Sequence, residues 1–299
     1  MNNEEKDIER QEFARRVGKN GDRILMEYFD DIGLANKTNN EINDLINRLR
    51  ICGVDIKKVF SECGRDSTLK TRVDRNQTIA IVFRFFRELG IDVSKLLEEG
   101  KYNNEREQAV YLSFNKGVKR NETTSPTFAG EDVHAYAKET GTLTDVYSLV
   151  HEISHTLYVQ NQFGEARMIL GEVIPQCMER MLDGYLIELD GRKGFDVDID
   201  TLKENIIKRR ISTAIDRFRM ASRIAKGEYK FASEKAEFSR YMLAQIYATK
   251  LMEMDKSLQK QRIFDFIEAL KSNDIKKAND AFDMQIGCLL YTSPSPRDT

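Results

Sequence analysis

Proline is scarce in this chain, with four residues in 299, and two of those fall within the last twelve. Glycine is thin as well, at 17. Without Pro- or Gly-rich stretches there is no linker-like run to separate domains and little to interrupt helices. Residues 1–287 therefore read as one mostly helical unit, with roughly the first 40 residues unassigned. A dominant charge is missing too: 47 basic side chains face 49 acidic ones, which removes the electrostatic case for a nucleic-acid partner. No apolar run approaches the ~20 residues of a membrane-spanning helix, and Met1-Asn2-Asn3-Glu4-Glu5-Lys6-Asp7 is too charged to open a signal peptide. Only four cysteines occur, and the three before the last twelve residues, Cys52, Cys63 and Cys177, are odd in number and lack Cys-x-x-Cys spacing. Reduced thiols and a cytoplasmic location are expected, with no membrane and no nucleic acid among the partners.

The final residues break with the rest. Cys288-Leu289-Leu290-Tyr291-Thr292-Ser293-Pro294-Ser295-Pro296-Arg297-Asp298 is similar to one reading frame of a transposase adaptor used in sequencing libraries. Residues 288–299 are set aside as a non-native tail, and the native C-terminus is expected to lie elsewhere.

Histidine is rarer still, with three in the chain. Two of them bracket a glutamate in His151-Glu152-Ile153-Ser154-His155, which places two imidazoles one helical turn apart beside a carboxylate. A hydrolytic zinc site needs that arrangement. Thr142 and Asp145 have capping-box spacing just upstream, and Val146, Leu149, Val150, Ile153 and Leu157 form one apolar stripe of a helix. His151 and His155 fall opposite that stripe, together with Thr144, Ser148 and Tyr158. Two imidazoles leave an open tetrahedral site one protein ligand short. Only His134 remains among the histidines, so a carboxylate is the better candidate. The segment Leu170 to Arg180 offers Glu172 and Glu179, which share a helical face with Gln176.

Elsewhere the periodicity is also mostly helical. Residues 22–33, 40–51 and 77–89 have helix-type spacing, the last through Ile79, Ile81, Val82, Phe85 and Phe86. Between 108 and 138 the pattern turns extended, with Val133, Ala135 and Ala137 alternating against His134, Tyr136 and Lys138, so a small sheet is expected there. A turn-rich stretch from 190 to 200 precedes a basic amphipathic helix carrying Lys208, Arg209, Arg210, Arg217, Arg219 and Arg223. That helix reads as a solvated face, or alternatively as the source of one arginine for a peptide's terminal carboxylate. A further helix through Phe238, Tyr241, Leu243, Ile246, Tyr247 and Leu251 follows a turn at Lys226-Gly227-Glu228.

The run from Gly141 to His155, including Asp145-Val146 ahead of the paired histidines, resembles the zinc helix of the thimet oligopeptidase and oligoendopeptidase F family. Gly171-Glu172 through Glu179 is similar to that family's second zinc helix, where a ligand glutamate is followed seven residues later by another acid. The resemblance is strong over residues 140–182 and weaker over 80–139 and 230–287. It implies a mainly α zinc-metallopeptidase catalytic domain with a small β-sheet beside the zinc helix. It also implies one Zn2+ per chain on His151, His155 and Glu172, Glu152 as general base, and Glu179 and Asp145 in support behind the ligands. In such peptidases a strand just before the zinc helix lines the cleft, so an extended substrate would pair with its open edge and His134 would face that substrate.

Several features depart from the family. Glu172 lies only 17 positions after His155, and Glu165 is the fallback ligand. Pro175 requires that the second helix start near Glu172 or kink there. No histidine follows His155, and near Ser239-Arg240-Tyr241 a serine stands where the family places one of two tyrosines, which leaves Tyr241 as the candidate oxyanion donor. The expected activity is cytoplasmic, zinc-dependent hydrolysis of internal bonds in short oligopeptides. The alternatives are a peptide-binding module that has lost turnover and a regulatory protease for one protein partner.

Overall fold

The computed structural model describes residues 71–103, 108–119, 121–124, 132–158, 165–189, 199–225 and 232–284, together with Asn47 and Glu228. Apart from Asn47, the spacings at 22–33 and 40–51 fall outside the described residues, as does the tail 288–299. The described residues form nine helices and four strands, a mainly α architecture with one small sheet. Among them no helix is long and apolar enough to cross a membrane.

Helix α1, Arg75–Glu88, starts at a capping box in which Asp74 accepts from the Gln77 amide while the Gln77 side chain accepts from the Asp74 amide. It buries Ile81, Val82, Phe85 and Phe86, the stripe expected from the sequence. After α2, Ser94–Glu99, the left-handed Gly100 turns the chain into β1, Lys101–Asn103. The sheet continues through β2, Ala109–Asn115, β3, Glu122–Thr124, and β4, Val133–Lys138, in the order β1-β2-β4-β3. Val133, Ala135 and Ala137 are fully buried while His134 and Tyr136 lie on the other face, as the alternation predicted. One expectation fails here. Strand β4 pairs in parallel with β2 and antiparallel with β3, so it is interior and offers no open edge to a substrate. The short β3 is the border strand on that side.

Helix α3, Thr144–Thr156, carries the paired histidines and packs against β4, α1 and α5, the last of which is Val173–Leu189. Its apolar side is the predicted one, with Val146, Leu149, Val150 and Ile153 fully buried. Its start differs from the predicted box. The N-cap position is Leu143, without a side-chain cap. The Asp145 carboxylate reaches back to accept from the Thr140 and Gly141 amides at 2.8–3.0 Å and from the Thr140 hydroxyl at 2.5 Å. Gly141, at φ +76°, makes the corner between sheet and helix.

Helix α4, Glu165–Leu170, leads to a turn at Gly171-Glu172 and then α5, whose first turn contains Pro175. Proline is tolerated there because that turn's amides have no intrahelical partner, so the helix begins immediately after Glu172 rather than kinking. Helix α6, Ile199–Ala225, and α7, Ala232–Glu253, both pack on α5. Beyond them α8, Lys256–Lys271, and α9, Ile275–Ala281, close the far side around three mutually edge-on rings, Tyr247, Phe266 and Phe282, with centroids 5.1–5.7 Å apart. Phe266 is fully buried at the centre of this cluster. Replacing it with alanine exposes a cavity and removes the ring contacts together, so Phe266→Ala is expected to destabilise the fold by about 3–5 kcal/mol. Urea denaturation monitored by far-UV circular dichroism measures this, and a change below about 1 kcal/mol would contradict the packing described.

Candidate metal centre

Polar residues opposite the apolar stripe of α3 would ordinarily face water. Here α5 packs against the helix and Arg209 of α6 lies over Tyr147, and Glu152 and Tyr158 are buried while the two histidines are only 15% exposed at their side chains. That face is a second packing surface built from polar contacts. His151 Nε2 and His155 Nε2 lie 3.3 Å apart. Glu172 Oε2, brought in by the turn before α5, is 3.6 Å from the first and 3.8 Å from the second. Tetrahedral zinc with ligand bonds of about 2.0–2.2 Å separates its ligand atoms by roughly 3.3–3.6 Å, so two edges of this triangle match that spacing and the third, at 3.8 Å, is slightly longer. Among the described residues this is the cluster of histidine, cysteine and acidic side chains able to hold a metal ion.

Two further observations bear on the fit. Glu172 Oε2 is buried and accepts no hydrogen bond, a costly state for a carboxylate oxygen unless a cation faces it. Both histidines are also oriented from behind. His151 Nδ1 lies 2.7 Å from Glu179 Oε1 and His155 Nδ1 lies 2.7 Å from the Tyr158 hydroxyl, which in turn donates to the Gly171 carbonyl. Since that hydroxyl spends its proton on Gly171, His155 must donate through Nδ1. A carboxylate likewise makes Nδ1 the donor on His151. In the neutral rings both Nε2 lone pairs are thereby left pointing into the triangle with Glu172, the orientation metal-binding histidines adopt once a metal displaces any Nε2 proton.

The electrostatics divide the two rings. Burial disfavours charge on His151, but the hydrogen-bonded Glu179 carboxylate outweighs it, with Glu172 and Glu152 adding to the effect, and lifts the ring to about 9. His155 is held well below the usual histidine range by burial, then by His151, Arg240 and Arg167. Glu179 resists the upward push of burial because Arg209 and His151 hold it at about 2. An imidazolium raised above its unfolded value stabilises the fold fully below that value, and the stabilisation is lost as pH rises through the folded value. Metal-free protein should therefore lose on the order of 3 kcal/mol between pH 6.5 and 9, through the proton on His151. Denaturation in chelator across that range checks this, and His151→Gln should flatten the profile.

Gly171 has a steric reason to be glycine. A Cβ there would sit 2.6 Å from the Arg167 carbonyl oxygen and 3.1 Å from Arg240 Nη2. Gly171→Ala must therefore displace the turn that delivers Glu172, and a loss of about 1–3 kcal/mol is expected. Thermal denaturation measures it, and an unchanged melting temperature would show that the turn yields freely.

Glu152 lies on the wall of a cavity of about 250 Å³ that also includes Asn121, Ser148, His151, Glu179 and Arg209. Other predicted residues are placed elsewhere. Asp145 serves the Thr140–Gly141 corner and contacts neither histidine ring. His134 stacks on Tyr111 at 4.8 Å, on the sheet face away from the core, and does not line this cavity. Tyr241 does not line it either. From the same helix Arg240 reaches the ligand set instead, with Nη2 3.9 Å from Glu172 Oε1. The side chain of the fallback ligand Glu165 lies outside the described set.

At Arg209 and Arg210 the basic helix differs from a solvated face, whereas Arg223 is exposed and the side chains of Arg217 and Arg219 lie outside the described residues. Arg209 bonds to Glu179 and stacks 4.0 Å above the Tyr147 ring, while Arg210 Nε donates to Asp183 at 2.7 Å. Sequence reading gave Tyr158, Arg240 and Asp183 no part in the site. An acid seven residues after Glu172 pointed to Glu179, but nothing local marks which arginine of a basic helix turns inward. No family model and no curated protein matches the chain. Among solved structures, the BsuCP crystal structure is similar at 14% identity with a TM-score of 0.40. That match covers 87% of this chain, which spans little more than half, 57%, of the BsuCP chain.

Proposed function

We propose that this chain is a zinc-dependent metalloendopeptidase of the oligopeptidase type, acting on short peptides in the cytoplasm. The observation that carries the proposal is the triangle of His151 Nε2, His155 Nε2 and the unpartnered, buried Glu172 Oε2, with Glu152 on the adjoining cavity wall. A zinc ion held there supplies Lewis acidity, which polarises a peptide carbonyl and brings the pKa of water towards ~7. Glu152 takes a proton from the attacking water as the new C–O bond forms, and passes it to the amine as the C–N bond breaks. Its burial keeps that carboxylate out of bulk water. Glu179 and Tyr158 hold the two imidazoles in the tautomer that directs Nε2 inward.

Among the described residues β3 borders the sheet next to the cavity-lining Asn121, and that border offers a backbone edge for an extended peptide. Asn121 is itself fixed, donating to the Ser148 hydroxyl at 2.8 Å and accepting from the Lys138 amide at 2.6 Å. The absence of any histidine after His155 favours one second reading, a peptide-binding module with impaired turnover.

One zinc per chain is expected, measured by elemental analysis of full-length protein. His151→Ala and His155→Ala should each abolish it, and Glu172→Ala should weaken it more than Glu179→Ala. Glu152→Gln should keep the zinc and lose at least about a hundredfold in hydrolysis of a mixed peptide library. Stoichiometric zinc in either histidine variant removes the assignment. Zinc with no hydrolysis by the parent protein selects the binding module.

A further inference from the structure

We infer that Arg209 is a positioning residue of the metal centre, acting through Glu179 on His151. This rests on the metal reading above. The two oxygens of the Glu179 carboxylate are separately engaged, Oε1 by the His151 Nδ1 hydrogen bond and Oε2 by Arg209 Nη2. With both ends held, the carboxylate plane is fixed, and so is the ring orientation that aims His151 Nε2. The guanidinium is itself held, lying 4.0 Å over the face of Tyr147, which makes the clamp rigid rather than a loose surface pair. Tyr147 is immobilised in turn by its hydroxyl, 2.6 Å from Asp183 Oδ1. A signal therefore runs from α6 through α5 to the metal ligand on α3. Without Arg209, one oxygen of a mostly buried carboxylate loses its charge partner, and the Glu179 rotamer becomes free to turn away from the imidazole.

The next residue provides an internal control. Arg210 joins the same two helices by the same kind of bond, but to Asp183, which meets the clamp only indirectly, through the Tyr147 hydroxyl. A general role in tying α6 to α5 would make the two arginines equivalent, whereas a positioning role separates them.

Zinc affinity of the full chain, measured by competition with a chromophoric chelator, should fall about 10- to 100-fold in Arg209→Met. It should recover in part in Arg209→Lys, which restores a point charge without the fork. Arg210→Met leaves both the Tyr147–Asp183 and the Arg209–Glu179 bonds in place, so its loss should be no more than about threefold, well below that of Arg209→Met, even though its melting temperature drops. In a Glu179→Gln background Arg209→Met should cost little more, because the path it uses is already broken. Full additivity of the two losses, or equal losses from Arg209→Met and Arg210→Met, overturns the proposal. If Arg209→Met does not fold, Arg209→Lys alone and in the Glu179→Gln background carries the same comparison. Side-chain NMR of His151 in zinc-free protein separates this inference from the metal reading: loss of the hydrogen-bonded Nδ1 proton signal in the Arg209 variants upholds the positioning role, and its persistence refutes it. Failure of the parent to bind zinc would overturn the metal reading alone.

Discussion

An imidazole has two nitrogens, and it can serve an inward-facing site only if the outer nitrogen is already committed. The bonds from His151 to Glu179 and from His155 to Tyr158 make that commitment, and much of the surrounding architecture follows from it. Glu179 must come from a helix lying against the histidine face of α3, which is where α5 packs. Tyr158 must follow α3 closely enough to fold back on His155 while reaching Gly171, and it is the second residue after the helix ends. The result is a helix with two buried faces, one held by hydrocarbon contact and the other by directed hydrogen bonds.

The second face carries an electrostatic burden. Glu152, Glu172, Glu179 and Asp183 put four carboxylates along the junction of α3 and α5 with little water to screen them. Arg209 and Arg210 answer two of these, and Arg240 approaches Glu172 without reaching hydrogen-bond distance. Buried ion pairs of this kind seldom add much net stability, since desolvation offsets most of the attraction, but breaking one is costly. Their value here lies in direction: each fixes where an oxygen points. The hydrophobic cluster of Tyr247, Phe266 and Phe282 supplies cohesion at a distance from the site.

Periodicity made the helices and the strand alternation legible, because apolar side chains recur with the geometry of the element that buries them. Val146, Leu149, Val150 and Ile153 announced the inner face of α3, and Ile81, Val82, Phe85 and Phe86 that of α1. That the histidine pair and the acids at 172 and 179 come together was readable because helical geometry sets which side chains share a face. What the sequence did not reveal depends on partners remote in the chain. The interior position of β4 follows from the return of β3, a three-residue strand with no periodicity of its own. The inward turn of Arg209 depends on Glu179, 30 residues away, and Arg240 approaches Glu172 across 68 positions. The Asp145 carboxylate was expected in a capping box and instead ties the corner behind it, a choice made by the Gly141 turn.

Glu172 and Glu179 stand at the mouth and in the second turn of α5, so the proposed ligand and the partner that orients His151 ride on one rod. A small tilt or slide of that rod carries both carboxylates together. The distance from Glu172 to His151 and the distance from Glu179 to the same ring then change in concert, so that thermal displacement translates the acidic half of the cage as a unit. Errors in placement are thereby correlated rather than independent, as in a gauge whose two jaws are cut from a single bar.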